Sequence, residues 1–273
     1  LRKGAPDGLK RLIWPLAVGA ALSSPVAEVD ADAFYVKLIE RCFGGSRPTE
    51  FQDPVPTFCQ GVNGVEDAPP LRSVVKHLAL LKPAGEHALR RLLWVTALTS
   101  HCVEFCPFLP NLMATLLTFF SEAETMFMVS QLIQEAENEV NASRNANPRM
   151  ILNLNQMHKQ AKLLVTEGKN SGNCPEALEH MESLGMDVNQ MALELLQDGL
   201  ATVLPFRSFL RLVGAFMAEG SEVMLRFALA MLKIQTPAIL SCSTSKEVKG
   251  VLASLGFSHG LDDRHKGVEQ LTK

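Results

Sequence analysis

The sequence lacks the short motifs that identify many enzymes and metalloproteins. It contains no Gly-rich phosphate loop, no Gly-x-Ser-x-Gly elbow and no His-Glu-x-x-His motif. Its six cysteines include no Cys-x-x-Cys pair, which favours free thiols in a reducing compartment over a disulfide framework. His101, Cys102 and Cys106 are of ligand type but lack a fourth partner, so the two cysteines are interpreted as core thiols of an apolar helix. We predict neither a metal nor a cofactor.

Charge and long hydrophobic runs are also scarce. Charged residues make up 20% of the chain and the net charge is −3, so any anion-binding site must be local and nucleic acid is not an expected partner. The longest apolar tract, 209–234, is interrupted by Arg211, Glu219 and Arg226, whereas a membrane span needs about 20 largely uncharged residues. The N-terminal residues do not form a signal peptide. We predict a soluble, cytoplasmic protein that is not transmembrane.

The spacing of apolar residues predicts helices along most of the chain. Apolar side chains recur at intervals of three and four in four segments, which span 71–81, 87–99, 111–120 and 125–133. Strand-like alternation is rare, and the chain has a single tyrosine. The longest polar interruption lies at 141–148. We predict one all-α domain over 1–273, with an N-terminal lobe at about 1–140 and a C-terminal lobe at about 150–273.

The segment FQDPVPTF at 51–58 resembles the arginine-finger motif of the TBC domain, the family of Rab GTPase-activating proteins. That motif reads Asp, any two residues, then Arg-Thr-Phe. Asp53, Thr57 and Phe58 match it. Pro56 stands where the family has its catalytic arginine.

A second segment, EFCPFL at 104–109, resembles the glutamine-finger motif Tyr-Cys-Gln-Gly-Met-Asn of the same family. Phe105 and Cys106 approximate its start, and Pro107 stands in place of the glutamine. An arginine finger is worth roughly 10³ to 10⁵ in turnover, and proline has neither a charge nor a donor. The resemblance therefore implies a TBC scaffold that is not an enzyme.

The resemblance covers most of the chain and suggests its partners. It begins at RKGAP (2–6) and continues to the terminal apolar helices. The segment FCPFLP is most similar to the Skywalker-like branch, in which a TLDc domain follows the TBC domain; no TLDc-like segment is expected in this chain. The family implies a small GTPase of the Rab or Arf type, faced by Asp53, Thr57 and Phe105.

Skywalker-like domains also bind phosphoinositide headgroups in a basic pocket. The resemblance places Arg2 and Arg226 in such a pocket, with Lys3 and Lys10 as further basic residues. Glu222 stands where relatives carry a lysine.

A purely structural role for Arg226 is the alternative to lipid binding. A charge among apolar neighbours must be paired, reach water or bind a ligand, so a salt bridge to Glu219 or Glu222 would also explain Arg226.

Three functions remain open from the sequence. The first is a catalytically degenerate TBC adaptor, peripherally associated with vesicle or endosomal membranes, that regulates vesicle traffic. The second is an active Rab GTPase activator in which a displaced arginine, Arg47 or Arg72, supplies the charge. The third is a helical scaffold for another protein, with neither a GTPase nor a lipid involved.

Overall fold

The computed structural model describes seven parts of the chain, which are residues 6–21, 30–44, 53–62, 64, 68–143, 148–170 and 172–253. In these residues all regular secondary structure is helical. This confirms the all-α prediction. The two-lobe division remains a prediction, and part of its expected boundary, 144–147, lies outside the described residues.

The α-helices follow one another as α1 (Asp7–Ala21), α2 (Ala31–Phe43), α3 (Leu71–Val74), α4 (Pro83–Thr99), α5 (Phe108–Leu117), α6 (Glu122–Ala142), α7 (Leu154–Lys169), α8 (Pro175–Ser183), α9 (Val188–Leu196), α10 (Phe206–Glu219) and α11 (Glu222–Leu240). Short 3₁₀ turns occupy Thr57–Cys59 and Leu78–Leu80. Residues 245–253 form a further helical segment.

Local sequence signals define several helix ends. The Asp30 and Asp187 carboxylates accept backbone N–H groups at the starts of α2 and α9, and Ser121 and Glu124 form a reciprocal capping box at the start of α6. Gly44 ends α2 with φ +67°, a conformation that favours glycine. These ends are therefore encoded locally.

The segment 71–81 differs from the periodicity prediction because another group interrupts the helix. The segment 71–81 forms only α3 and a 3₁₀ turn, since the buried Asn111 amide accepts from the Lys76 N–H and donates to the Val74 carbonyl. The tract 209–234 is two helices separated at Gly220, whose φ is +78°.

The apolar helix α5 lies at the centre of the core. Every residue from Phe108 to Leu116 is buried, and α5 packs against α4 and α6. The Phe108 ring contacts those of Phe209 and Phe216, which belong to α10. The start of α5 therefore has protein on its sides rather than solvent.

Helix α11 is the one helix in the described part of the chain whose length and composition would allow it to cross a membrane. It packs against α7, α8, α9 and α10. The core helix of a globular protein satisfies the same criterion of length and composition.

A buried ionic cluster joins α2, α4 and α6. The Arg91 guanidinium donates to both carboxylate oxygens of Glu122 at 2.6 and 2.7 Å, and the Tyr35 hydroxyl donates to the same carboxylate. The Arg91 and Glu122 side chains are only 8% and 10% exposed. Burial raises the pKa of Tyr35, and the hydrogen bond to Glu122 raises it further, so the hydroxyl remains a donor.

Removing the charge of Glu122 should destabilise the fold. Glu122→Gln leaves Arg91 buried without its counter-charge, so we expect the free energy of unfolding to fall by about 3–5 kcal/mol in urea denaturation followed by circular dichroism. The matched control is Glu182→Gln, because the Lys169–Glu182 pair is 43% and 41% exposed. The control should cost less than about 1 kcal/mol. Equal losses from the two variants would contradict the importance of the buried cluster.

Candidate functional site

The two finger-like segments lie side by side in the structure. The Cys106 N–H donates to the Phe58 carbonyl at 2.8 Å, and the 3₁₀ turn Thr57–Cys59 packs against α5. The Cys59 and Cys106 thiols are both buried. Burial raises the pKa of Cys106 to about 12, so this thiol is structural rather than reactive.

The expected helix around Cys102 and Cys106 is wrong. Residues 100–107 form turns and extended backbone before α5 begins. The Glu104 and Phe105 N–H groups both donate to the Leu152 carbonyl at 2.9 Å, and these bonds replace those of a helix. In the described part of the chain, no group of three His, Cys, Asp or Glu side chains is arranged to hold a metal.

Asp53 anchors the first segment to α3 and α4. Its carboxylate accepts the Leu71 N–H at 2.8 Å and the Arg90 Nε–H at 3.2 Å. Burial raises the pKa of Asp53, but the bond from Leu71 and the charges of Arg90 and Arg72 outweigh it and hold the pKa below its usual range. Asp53 is thus ionised, and its carboxylate caps the backbone at the start of α3.

Pro56 and Pro107 are both buried. Pro56 precedes the 3₁₀ turn, and its carbonyl accepts the Cys59 N–H at 3.1 Å. Pro107 directly precedes α5. Each of the two positions therefore presents an apolar ring inside the protein instead of a polar side chain at the surface.

The three residues predicted to face a GTPase surround this pair of prolines. Asp53 and Thr57 are exposed, and Phe105 is half-buried. Thr57 and Phe105 directly precede Phe58 and Cys106, which are joined by the backbone hydrogen bond, so the two residues lie near each other. This surface, defined by Asp53, Thr57 and Phe105, is called the finger face below.

Of the two arginines that could act as a displaced arginine finger, one lies in the described part of the chain. Arg72 lies exposed in α3, close enough for its charge to lower the pKa of Asp53 at the finger face. Arg47 lies outside the described residues.

A support beneath the finger face was missed by sequence reasoning. The Gln197 side-chain oxygen accepts the Val62 N–H at 2.8 Å. Gly199 adopts φ +67°, and a Cβ there would come within 2.2 Å of the Phe108 ring. The Gln-Asp-Gly triplet after α9 is a polar turn signal, but its contact with a segment more than 100 residues earlier has no local signature.

A cleft of about 270 Å³ opens beside this support, lined by Met191, Glu194, Leu195, Gln197, Asp198, Thr202, Val203, Lys249, Leu252 and Ala253. Burial raises the pKa of Asp198. The Thr202 N–H and hydroxyl both donate to the Asp198 carboxylate. The Asp198 carboxylate is therefore held by Thr202 in a structural role. Among the residues that line the cleft, we identify no acid–base pair for catalysis.

Arg226 is placed at the surface and paired. Its side chain is 49% exposed and contacts the Glu219 carboxylate at 2.5 Å. The salt bridge considered from the sequence is therefore present, and its partner is Glu219. Glu222 is exposed at the start of α11.

The other proposed basic residues differ in position. Arg2 and Lys3 lie outside the described residues, so their convergence with Arg226 stays a prediction. Lys10 is only 5% exposed, and its Nζ lies 5.1 Å from the centre of the Phe119 ring. The Lys10 side chain is thus used in packing, and it is not included in the lipid site proposed below.

Comparison with known families identifies the class of protein. Residues 71–240 match the RabGAP-TBC family, described as the Rab-GTPase-TBC domain. Because the match covers more than half of the chain, the protein belongs to the RabGAP-TBC family. The resemblance stated from the two finger-like segments is confirmed at this level.

A curated relative is a TBC domain-containing protein of Schizosaccharomyces pombe. It is 24% identical over 175 residues, which represent 64% of this chain and 21% of that protein. The matched part thus spans about a fifth of the relative.

Solved structures of TBC domains share the fold. The TBC domain of Skywalker from Drosophila melanogaster superposes with a TM-score of 0.69 at 16% identity, covering 90% of this chain and 74% of that one. The same domain in complex with inositol(1,4,5)triphosphate gives a TM-score of 0.65 at 16% identity, covering 90% and 78%. A Chlamydomonas flagellar RabGAP TBC domain gives 0.59 at 17% identity, covering 94% and 78%.

Neutralising Asp53 should loosen the finger face. Asp53→Asn weakens the charge-assisted bonds to Leu71 and Arg90, and because the Asp53 side chain is 39% exposed and screened by solvent, we expect a loss of about 1 kcal/mol in stability and faster amide hydrogen exchange at Cys59. Because the pKa of Asp53 is lowered in the folded state, the loss should be full above the unfolded value of about 4 and should disappear as the pH falls through the folded value. Asp30→Asn, which neutralises the N-cap carboxylate of α2, is the control and should leave exchange at Cys59 unchanged. Unaltered exchange in Asp53→Asn would contradict the anchoring role.

Proposed function

We propose that this TBC domain binds a small GTPase of the Rab or Arf type at the finger face without accelerating GTP hydrolysis. The observation that carries the proposal is the burial of Pro56 and Pro107 at both finger positions. In the proposed role the protein is an adaptor that regulates vesicle traffic, and it is cytoplasmic and peripherally associated with vesicle or endosomal membranes.

The physical basis is the charge of the transition state. Phosphoryl transfer spreads negative charge over the oxygens of the transferred group, and an activator lowers the barrier by placing a cation there and orienting the attacking water. A proline side chain supplies neither. Binding, by contrast, needs only a complementary surface, and Asp53, Thr57 and Phe105 offer charge, hydrogen bonding and apolar area for it.

We therefore expect the protein to bind a GTPase without stimulating its GTP hydrolysis. For a panel of Rab and Arf proteins under single-turnover conditions, we expect hydrolysis to stay within about tenfold of the intrinsic rate, whereas a working arginine finger gives roughly 10³ to 10⁵. In calorimetry with the GTPase held in its GTP form by a non-hydrolysable analogue, Thr57→Glu should weaken binding by at least about tenfold, because it adds a charge at the centre of the interface. Thr166→Glu, a matched change at an exposed position of α7, should leave binding unchanged.

Two outcomes would contradict this proposal. Strong stimulation of hydrolysis that is lost in Arg72→Ala would favour an active enzyme with a displaced arginine, since Arg72 is exposed beside the finger face. Absence of binding to every GTPase tested would favour the protein scaffold.

We also propose that Arg226 contributes to recognition of phosphoinositide headgroups. Two observations support this role: Arg226 is exposed beside its partner Glu219, and a Skywalker TBC domain has been solved with inositol(1,4,5)triphosphate. The Glu219 carboxylate competes with a phosphate for the guanidinium. This competition gives the proposal a directional test.

Variants on either side of the Arg226–Glu219 pair should change lipid binding in opposite directions. One basic residue near an anionic surface contributes about 1 kcal/mol, so Arg226→Gln should weaken binding to phosphoinositide vesicles about fivefold and Glu219→Gln should strengthen it. Vesicle flotation at several salt concentrations measures both effects, and wild-type affinity should fall as salt rises. Lys233→Ala is the control, because Lys233 donates to the Gly172 carbonyl. A folded Arg226→Gln variant with wild-type binding would remove the lipid role of Arg226.

A further inference from the structure

Helix α1 carries an unusual row of exposed leucines. Leu9, Leu12 and Leu16 are 46%, 64% and 71% exposed, and their spacing of three and four residues places them along one side of the helix. We call this row the leucine ridge. The other large exposed apolar side chains in the described residues are spread over five elements, of which only α11 carries two: Val36, Leu80, Leu98, Leu154, Ile234 and Leu240.

The leucine ridge points away from the body of the protein. Trp14, on the opposite side of α1, is fully buried, and a Cβ on Gly214 of α10 would lie 3.2 Å from its indole nitrogen. Successive helical residues are separated by about 100°, so the ridge lies about half a turn from Trp14. The ridge is therefore convex, and nothing in the described residues covers it.

Exposed cations lie around the leucine ridge. Arg11 is exposed on α1 itself. Arg207 and Arg211 are exposed on α10, about two turns and one turn before Gly214 and on the side of α10 that packs against α1. The charged residues in the sequence of α1 are Asp7, Lys10 and Arg11.

The two acidic residues of the neighbouring first turn of α6 are already engaged. Glu122 is held by Arg91, and Glu124 accepts the Ser121 N–H. The leucine ridge is thus apolar at its crest, and basic residues outnumber acidic ones among the charged residues of α1 and α10 at its base.

We propose that the leucine ridge inserts into the interfacial layer of an anionic membrane, with Arg11, Arg207 and Arg211 beside lipid phosphates. An apolar helix side flanked by basic residues is the pattern of a helix that lies in the membrane plane. A second copy of the chain is a poorer occupant, because two such surfaces would bring like charges together. This inference extends the lipid part of the proposed function but needs neither Arg226 nor a phosphoinositide.

Flotation with vesicles of defined composition tests the leucine ridge. Wild-type protein should bind vesicles of phosphatidylcholine and phosphatidylserine, and bind phosphatidylcholine alone more weakly. Leu12→Gln combined with Leu16→Gln should lower affinity for the anionic vesicles at least about tenfold, because two inserted side chains lose their apolar transfer energy. The matched control combines Val36→Gln with Ile234→Gln, which are 54% and 73% exposed elsewhere, and should stay within about twofold of the wild type.

A spectroscopic measurement reports insertion directly. In Leu12→Trp, the new indole should be quenched by brominated lipids when anionic vesicles are present, whereas the indole of Val36→Trp should not be quenched.

The proposal would be overturned by wild-type binding in the double ridge variant, by equal loss in the matched control, or by no quenching at position 12. So would a wild-type dimer in light scattering that the double ridge variant converts to a monomer, since the ridge would then be a contact between copies.

The phosphoinositide proposal fails separately from this one. If wild-type protein binds phosphatidylserine and phosphoinositide vesicles equally at matched charge, the headgroup specificity is wrong while the leucine ridge stands. If the double ridge variant binds both vesicle types as the wild type does, the ridge is wrong whatever the headgroup preference.

Discussion

The burial of α5 from Phe108 to Leu116 is the constraint on which the candidate site depends. A helix surrounded by protein must satisfy its polar groups internally, and α5 does so through Asn111, which bonds to the backbone around Val74, and through Thr115, whose hydroxyl donates to the Asn111 carbonyl. These bonds fix α5 relative to α3. Because α5 cannot shift, Pro107 at its start is fixed too, and the backbone bond from Cys106 to Phe58 then positions the first finger-like segment.

Proline suits both buried finger positions for a physical reason. Both positions are shielded from water, so a charged side chain there would not be hydrated. Burying an unpaired guanidinium in the interior would cost free energy. Proline also has no N–H that would need a partner. An arginine at position 56 would have to reach the surface past Thr57 or displace the turn, so replacing the residue alone does not recreate an arginine finger.

The sequence predicted what depends on local periodicity and local motifs. Helical spacing identified α4, α5 and α6, and the residues around Asp53 and Phe105 indicated the family. Prediction from the sequence failed where a group distant in the chain determines the local structure. The Asn111 side chain ends α3 early, and no pattern within 71–81 reports a partner more than 30 residues away.

Side-chain environments were equally hidden from the sequence. In the sequence, Lys10 is a basic residue with no sign of burial. In the structure, its ammonium lies against the Phe119 ring because position 10 is on the side of α1 that faces the core. Gln197 supports Val62 across the fold. The sequence left a salt bridge of Arg226 to Glu219 or to Glu222 open, and only the tertiary structure could place Glu219 beside it.

The proposed membrane recognition combines several weak contributions. The net charge is −3, so long-range attraction to an anionic surface is absent, and Arg226 shares its charge with Glu219. A single basic contact worth about 1 kcal/mol is too weak to hold a domain at a membrane. Partial insertion of leucines adds an attraction that salt does not screen, and stable peripheral binding generally needs two such signals. In the proposal, the leucine ridge and the basic residues beside it supply these two signals together, and either alone would leave the protein largely in solution.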